Sequence, residues 1–183
     1  MAGTSQTLEM ERYDPQNNYD FSKFDCGTES FNSFLTKRMD KEYERKICIP
    51  HLCFYRDESD VKVVVGYYTL GSNSFERSHL SANERKKMTY SSVPCILLSK
   101  IAVCKSIQGT GCGKRLLGHA IRTAYVSSLD VAVYALFLQS RDDKLDFYKK
   151  AGMIQSKVQP NMFIYPLKQY ENDLKRRAEK RLK

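Results

Sequence analysis

The sequence predicts an α/β sandwich in which one sheet is covered by helices. Three observations carry that prediction. An apolar run, Ile96 to Val103, leads into a glycine-rich stretch, Gln108-Gly109-Thr110-Gly111-Cys112-Gly113, and then into an amphipathic helical pattern. A second run, Val131 to Leu138, is continuously apolar, as a central buried strand is. Two further strand-like runs, Ile49 to Tyr55 and Val61 to Leu70, are separated by the polar turn Arg56-Asp57-Glu58-Ser59-Asp60, which reads as a hairpin.

Taken in chain order, Thr28 is placed as the N-cap of a helix. One face of that helix carries Phe31, Phe34, Leu35 and Met39, and the other carries Lys37, Arg38, Lys41 and Arg45. The hairpin follows. Ser78 to Thr89 is polar and basic, and reads as a loop or short helix. After the glycine-rich stretch, Leu116, Leu117, Ala120, Ile121, Ala124 and Tyr125 form one apolar stripe. Asp142 to Lys150 fits a short helix ended by Gly152. Met162-Phe163-Ile164-Tyr165 makes a last strand and a basic helix closes the chain. The order is hairpin, β, α, β, α, β. The organisation expected is an N-terminal tail over 1–11, one domain over 12–168 and a basic C-terminal helix or tail over 169–183.

The 183 residues, 42% hydrophobic and 11% aromatic, suit one globular domain rather than a disordered chain. No apolar run approaches the roughly 18 residues of a membrane span. Met1 to Gln6 has no basic region followed by an apolar stretch, so no signal peptide is expected and the cytoplasm is the expected compartment. The six cysteines show no Cys-x-x-Cys pair and no zinc spacing with histidine; neither metal nor disulfide is expected. Cys112 stands at a helix mouth, where a thiol pKa can fall, although a packing role is the plainer one. The net charge of +9 favours polyanionic partners, and much of it lies in Lys175-Arg176-Arg177 and Lys180 to Lys183, which a solvated helix would also explain.

The glycine-rich stretch carries the chemistry. Three glycines between a strand and a helix bare the backbone N–H groups at the positive end of the helix dipole, a seat for an anion such as a pyrophosphate. The spacing is not the dinucleotide-binding Gly-x-Gly-x-x-Gly, and Arg115 after Lys114 lacks the hydroxyl of a P-loop. A strand followed by Gln-Gly-x-Gly-x-Gly instead resembles the acetyl-CoA loop of the GNAT N-acetyltransferases.

Four segments make the resemblance narrower. Phe24-Asp25-Cys26-Gly27 with Phe31-Asn32 and Phe34-Leu35, Val65-Gly66-Tyr67-Tyr68-Thr69-Leu70, Pro94 through Gly113, and Asp142-Asp143 with Phe147-Tyr148 and Gly152 resemble the acetyltransferase toxins of type II toxin–antitoxin pairs. They stand in the same order and cover about residues 12 to 167. Cys112, Met153 and Cys104 depart from that pattern without removing a group the chemistry needs. The resemblance implies a GNAT-like mixed, mostly antiparallel sheet flanked by helices in a single domain, with acetyl-CoA as donor. It implies that Gln108, Gly109, Thr110, Gly111, Cys112, Gly113 and Lys114 hold the pyrophosphate through their backbone, and that Ile101, Ala102 and Val103 pair with the pantetheine arm like an extra strand. A splay between that strand and the next would open the slot. Arg115 and Lys114 add charge, and Ser140 and Asp143 are cofactor contacts. Tyr148 is the general acid toward the leaving thiolate, a phenol of pKa about 10 facing a thiol of about 8.5.

The acceptor implied is aminoacyl-tRNA, whose α-amine, of pKa near 8 or below, needs no obvious base. His51, His79 and His119 are isolated, and no Ser-His-Asp or paired-carboxylate pattern is present. Candidate tRNA-binding cations are Lys37, Arg38, Lys41, Arg45, Arg77, Arg85, Lys86 and Lys87. The resemblance also implies a homodimer and a ribbon–helix–helix antitoxin with a disordered tail. Two alternatives stay open: a stand-alone acetyltransferase for protein amines, polyamines or another small amine, and a nucleic-acid-binding module with a degenerate cofactor site.

Overall fold

A computed structural model describes residues 7–181. The segment Met1 to Gln6, read above as leader-free, and the last two residues of the basic tail lie outside the described residues. Among the described residues eight strands join one sheet in the order β1-β3-β4-β5-β6-β8-β7, with β2 pairing β4. The chain forms two compact units, one of residues up to Gly71 with Lys100–Leu117, the other of Ser72–Ser99 with the residues from Gly118 onward.

In the first unit β1 (Glu9–Arg12) pairs antiparallel with β3 (Ile49–Arg56), and β3 pairs antiparallel with the first part of β4 (Lys62–Glu76). β2 (Tyr19–Asp20) runs parallel to β4. The hairpin turn is an Asx turn. Asp57 Oδ1 accepts from the N–H of Ser59 and of Val61, at 2.9 Å each, and Asp60 takes a left-handed φ of 60°. β1 corrects the expected tail. Its charged side chains hide a strand, because Glu9 pairs with Arg56 (3.0 Å) and Glu11 with Lys62 (2.5 Å) across the sheet, while its backbone satisfies the edge of β3.

The helix expected through Arg45 is two helices, α1 (Glu29–Lys37) and α2 (Met39–Glu44). The chain breaks at Arg38, whose φ is −126°, so the stripe of Phe34, Leu35 and Met39 is buried from two helices rather than one. Tyr67 of β4 is wholly buried between the rings of Phe24 and Phe34, 5.6 and 5.8 Å away, and donates its hydroxyl to the Phe31 carbonyl at 3.0 Å.

In the second unit, β5 (Ser92–Val103) begins four residues earlier than the sequence predicts. Its parallel partner β6 spans Ala135–Gln139, and β8 (Met162–Pro166) pairs antiparallel with both β6 and β7 (Ile154–Gln155). The strand expected from Val131 starts only at Ala135. Val131 is 69% exposed, so the first part of that apolar run is surface, not core. Phe75, Val93, Cys95, Ala135, Phe137 and Ile164 form the core, with Phe75 and Phe137 stacked at 5.4 Å. Burying the Phe, Val and Ile side chains among them contributes about 1.5–3 kcal/mol each.

The basic segment after β4 folds as α3 (Ala82–Lys87), capped by Ser81 Oγ accepting from the Glu84 N–H. Helix α4 (Cys112–Ser127) follows the glycine loop, with Leu116, Leu117, Ala120 and Ala124 buried. Helix α5 covers Leu145–Lys150, preceded by a single 3₁₀ turn at Asp142–Lys144 and ended by Gly152 at φ 82°. The closing helix α6 is Leu167–Arg181 and starts two residues before the domain boundary expected at 168–169.

Candidate functional site

The first unit builds an anion seat. Gly109 and Gly111 take left-handed φ values of 81° and 89°, which L side chains rarely adopt, and a Cβ at either would meet nothing within 4 Å. The loop is therefore open above its glycines, and residues 109–111 are exposed. The first helical bond runs from the Arg115 N–H to the Gly111 carbonyl at 3.1 Å, so the N–H groups of Cys112, Gly113 and Lys114 precede it and have no helical acceptor. Lys114 and Arg115 are exposed on the first turn. Donors, dipole and charge all suit a pyrophosphate.

The Gln108 side chain does something the sequence reading missed. It points back into the fold, and its Nε2 donates to the Val103 carbonyl at 2.9 Å and to the Cys26 carbonyl at 3.1 Å. Thr110 Oγ1 closes the turn by donating to the Ile107 carbonyl at 2.7 Å. Cys112 is 2% exposed, so the packing role holds and a surface thiol does not. Its sulfur lies 4.0 Å from that of Cys53. The contact between the two thiols, with Arg115 nearby, holds the Cys112 thiol below its ordinary value against the effect of burial, while the same contact and burial push Cys53 up.

Ile101, Ala102 and Val103 form the end of β5, with Ala102 buried. In the second unit the β5–β6 ladder is registered at Cys95↔Ala135, Ile96↔Leu136 and Leu97↔Phe137 and stops there, although β6 continues for two residues. Ser140, just past β6, is buried; its N–H donates to the Asn161 carbonyl at 2.7 Å and its hydroxyl to the Arg141 carbonyl at 2.8 Å. Together with Arg141, Asp142, Asp143 and Asn161 it lines an open pocket of about 640 Å³. Asp143 is paired with Arg141 (3.3 Å) and Lys144 (3.4 Å). Arg141 and Asp143 thus stand in the lining as a paired cation and carboxylate.

Tyr148, on α5, is 7% exposed. Its ring stands edge-on to Phe147 at 5.0 Å and tilted to Phe163 at 5.4 Å. Burial alone pushes its hydroxyl up to about 12. It is a phenol kept protonated in an aromatic sleeve.

The eight candidate nucleic-acid cations are all exposed, four in each unit. Arg38 shares its charge with Glu42 at 3.5 Å and lies over the Phe34 ring; Arg77 donates to the Met88 carbonyl at 3.2 Å; Lys87 pairs with Glu84 at 2.7 Å. Of the histidines, His79 Nδ1 is 2.9 Å from Ser156 Oγ, and His51 is buried against the Tyr68 ring at 4.7 Å. Among the described residues no group of three or more His, Cys, Asp or Glu is placed to hold a metal, and no helix is long and apolar enough to cross a membrane.

The first unit thus holds a glycine-opened helix N-terminus, and the second a buried tyrosine on a short helix. The chain belongs to the acetyltransferase (GNAT) family, whose description it matches over residues 20–153. It is 30% identical over 127 residues to a tRNA-acetylating toxin of Mycobacterium tuberculosis, an alignment covering 68% of this chain and 72% of that one. Its fold matches the toxin AtaT complexed with acetyl-methionyl-tRNAfMet at a TM-score of 0.86, with 31% identity over 92% of this chain and 99% of that one. A tyrosine-to-phenylalanine mutant of AtaT, bound to the C-terminus of the antitoxin AtaR and to acetyl-CoA, matches at a TM-score of 0.78 with 28% identity, over 91% of this chain and 98% of that one.

Proposed function

We propose that this protein is an acetyl-CoA-dependent toxin that acetylates the α-amine of aminoacyl-tRNA and so blocks translation. The observation that carries the donor is the open glycine loop at the start of α4, where three N–H groups without helical acceptors meet two exposed cations. The likeness to AtaT complexed with acetyl-methionyl-tRNAfMet supports the acceptor.

Acetyl-CoA supplies the acetyl group already activated as a thioester. The N–H groups of residues 109–114 hold the pyrophosphate, with Lys114 and Arg115 adding charge, and the Ile101–Val103 edge offers main-chain bonds to an extended arm. Ser140 and Arg141 extend the contacts at the end of β6. Tyr148 Oη keeps its proton across the working pH range and presents it to the sulfur as the carbon–sulfur bond breaks, while the acceptor nitrogen, attacking as a free amine, gives up its own proton to solvent. The exposed cations of α1 to α3, with Arg38, Arg45 and Lys86 among them, bind the phosphates of the acceptor RNA.

The reading places the protein in the cytoplasm, as a homodimer neutralised by a ribbon–helix–helix antitoxin. The test is acetyl transfer from labelled acetyl-CoA to bulk charged tRNA. Label on the aminoacyl moiety is the expected result. Acetyl-CoA binding without label on tRNA would move the acceptor to a protein or small amine.

A further inference from the structure

The glycine loop is open above Gly109 and Gly111 and braced where it leaves the sheet. The brace comes from a segment near the N-terminus. Asp25 Oδ1 accepts from the Gly27 N–H at 2.8 Å and from Asn32 Nδ2 at 2.9 Å, while Oδ2 accepts from Lys105 Nζ at 2.9 Å. The Lys105 N–H donates to the Asp25 carbonyl at 2.8 Å. Asn32 Oδ1 accepts from the Cys26 N–H at 3.0 Å, and Gln108 Nε2 joins the Cys26 carbonyl to that of Val103. Residues 25–32 are thereby stitched to residues 103–108 at both ends of the turn that opens the loop. Gly27 takes a φ of 86°, and a Cβ there would lie 2.8 Å from Lys105 Cε, so the lysine stem lies directly against bare backbone.

The consequence for Lys105 is specific. Its ammonium is engaged by Asp25, and the carboxylate is held down at about 2, first by Lys105 and then by Asn32 and the Gly27 N–H. Lys105 therefore acts as a tether rather than as a phosphate ligand. The bonds of Asp25 reach the loop through Lys105, while the neighbouring Cys26 carbonyl reaches it through Gln108.

We propose that Asp25 is a positioning residue for the donor: it fixes the start of the Gln108–Gly113 loop so that its N–H groups are aligned before the pyrophosphate arrives. The proposal rests on the donor-binding reading above. It accounts for the Phe24-Asp25-Cys26-Gly27 and Asn32 signature by what each polar member bonds to, 80 residues from the loop that it serves.

The test uses the full chain as wild type, Asp25→Ala and Asp25→Asn. Acetyl-CoA affinity is measured by calorimetry, Tm by thermal melt, and acetyl transfer to charged tRNA with either acetyl-CoA or S-acetylpantetheine, which lacks the pyrophosphate. Asp25→Ala should weaken acetyl-CoA binding and raise its KM by roughly fivefold, leaving kcat and the turnover of S-acetylpantetheine unchanged, with only a small fall in Tm because the lost bonds are exposed. Asp25→Asn, which keeps the acceptor oxygen for Gly27 and Asn32, should recover part of the loss. Unchanged or tighter acetyl-CoA binding in Asp25→Ala overturns the proposal, the latter because a freed Lys105 would then be serving the phosphates. Equal loss with both donors also overturns it in favour of a merely structural role. A wild type that binds no acetyl-CoA removes the underlying reading itself, whatever the variants do.

Discussion

Replacing Tyr148 by phenylalanine separates chemistry from packing more cleanly than any other single change in this chain. The ring is 7% exposed between Phe147 and Phe163, and phenylalanine keeps all of that contact. Burial is the sole cause of the shift to about 12, so no internal hydrogen bond disappears with the hydroxyl, and Tm should hold. That same value sets the size of the kinetic effect. A phenol at about 12 stands roughly 3.5 pKa units above an ordinary thiol, about 5 kcal/mol against complete proton transfer to the leaving thiolate. In the role proposed for it, Tyr148 would work as a hydrogen-bond donor to developing charge more than as a full acid. Losing one such donor costs roughly 10²–10³ in kcat, about 3–4 kcal/mol. Transfer of labelled acetyl to charged tRNA at saturating acetyl-CoA, with acetyl-CoA affinity measured by calorimetry in parallel, reads it directly. A loss of less than tenfold with Tm and affinity intact would falsify the assignment of the hydroxyl to the sulfur.

Further outcomes follow from the same geometry. Because Tyr148 stays protonated until pH nears 12, kcat/KM should climb as the acceptor amine loses its proton near pH 8 and then stay flat; a descending limb between pH 8 and 10 would contradict this. For stability the sign is set by a raised folded-state pKa: the Tyr148 contribution is fully present below the unfolded value near 10 and is lost as pH rises through about 12, and those of buried Cys48 and Cys95 begin to be lost from about pH 9, so alkaline melts should fall above about pH 9. Gly111→Ala meets open space but a φ of 89°, a backbone penalty of about 1–2 kcal/mol, and should weaken acetyl-CoA binding about tenfold by calorimetry. Gly118→Ala, equally open but within α4, should instead raise stability by about 0.5–1 kcal/mol in a denaturant melt. Gly66→Val places a branched side chain where a Cβ already lies 3.0 Å from Leu116 Cδ1 and 3.3 Å from the Ala102 carbonyl, and should cost about 1–3 kcal/mol of stability, read from the urea midpoint.

What the sequence made legible is what leaves a local trace. The glycine loop announces itself through composition and position, the stripe of Leu116, Leu117 and Ala120 through its spacing, and the Arg56–Asp60 turn through Asp57. Strand β1 was hidden because its cross-sheet ion pairs give Glu9 and Glu11 the look of a solvated tail. The start of β6 was misplaced because Val131 and Ala132 are apolar yet lie outside the strand, and apolar runs carry no mark that tells exposure from burial. Asp25 and the Gln108 side chain were invisible as a pair for a different reason: their partners are 80 and 82 residues away, and no periodicity records a bond of that span. The Asx motif at Asp25 and Gly27, two residues apart, was the one signal that could have pointed to a fixed turn there.

The bonds from Asp25 to Lys105 and from Cys26 to Gln108 also bear on the order in which the molecule assembles. Contacts of such long sequence separation close late, after the hairpin of β3 and β4 and the helices have formed from nearby residues. During synthesis the N-terminal half of the brace emerges long before its partners. The loop cannot be held in its binding shape until residue 108 is clear, and Tyr148 follows 40 residues later. Competence to bind the donor therefore arrives as one of the last events of folding, and a growing chain passes most of its synthesis without it.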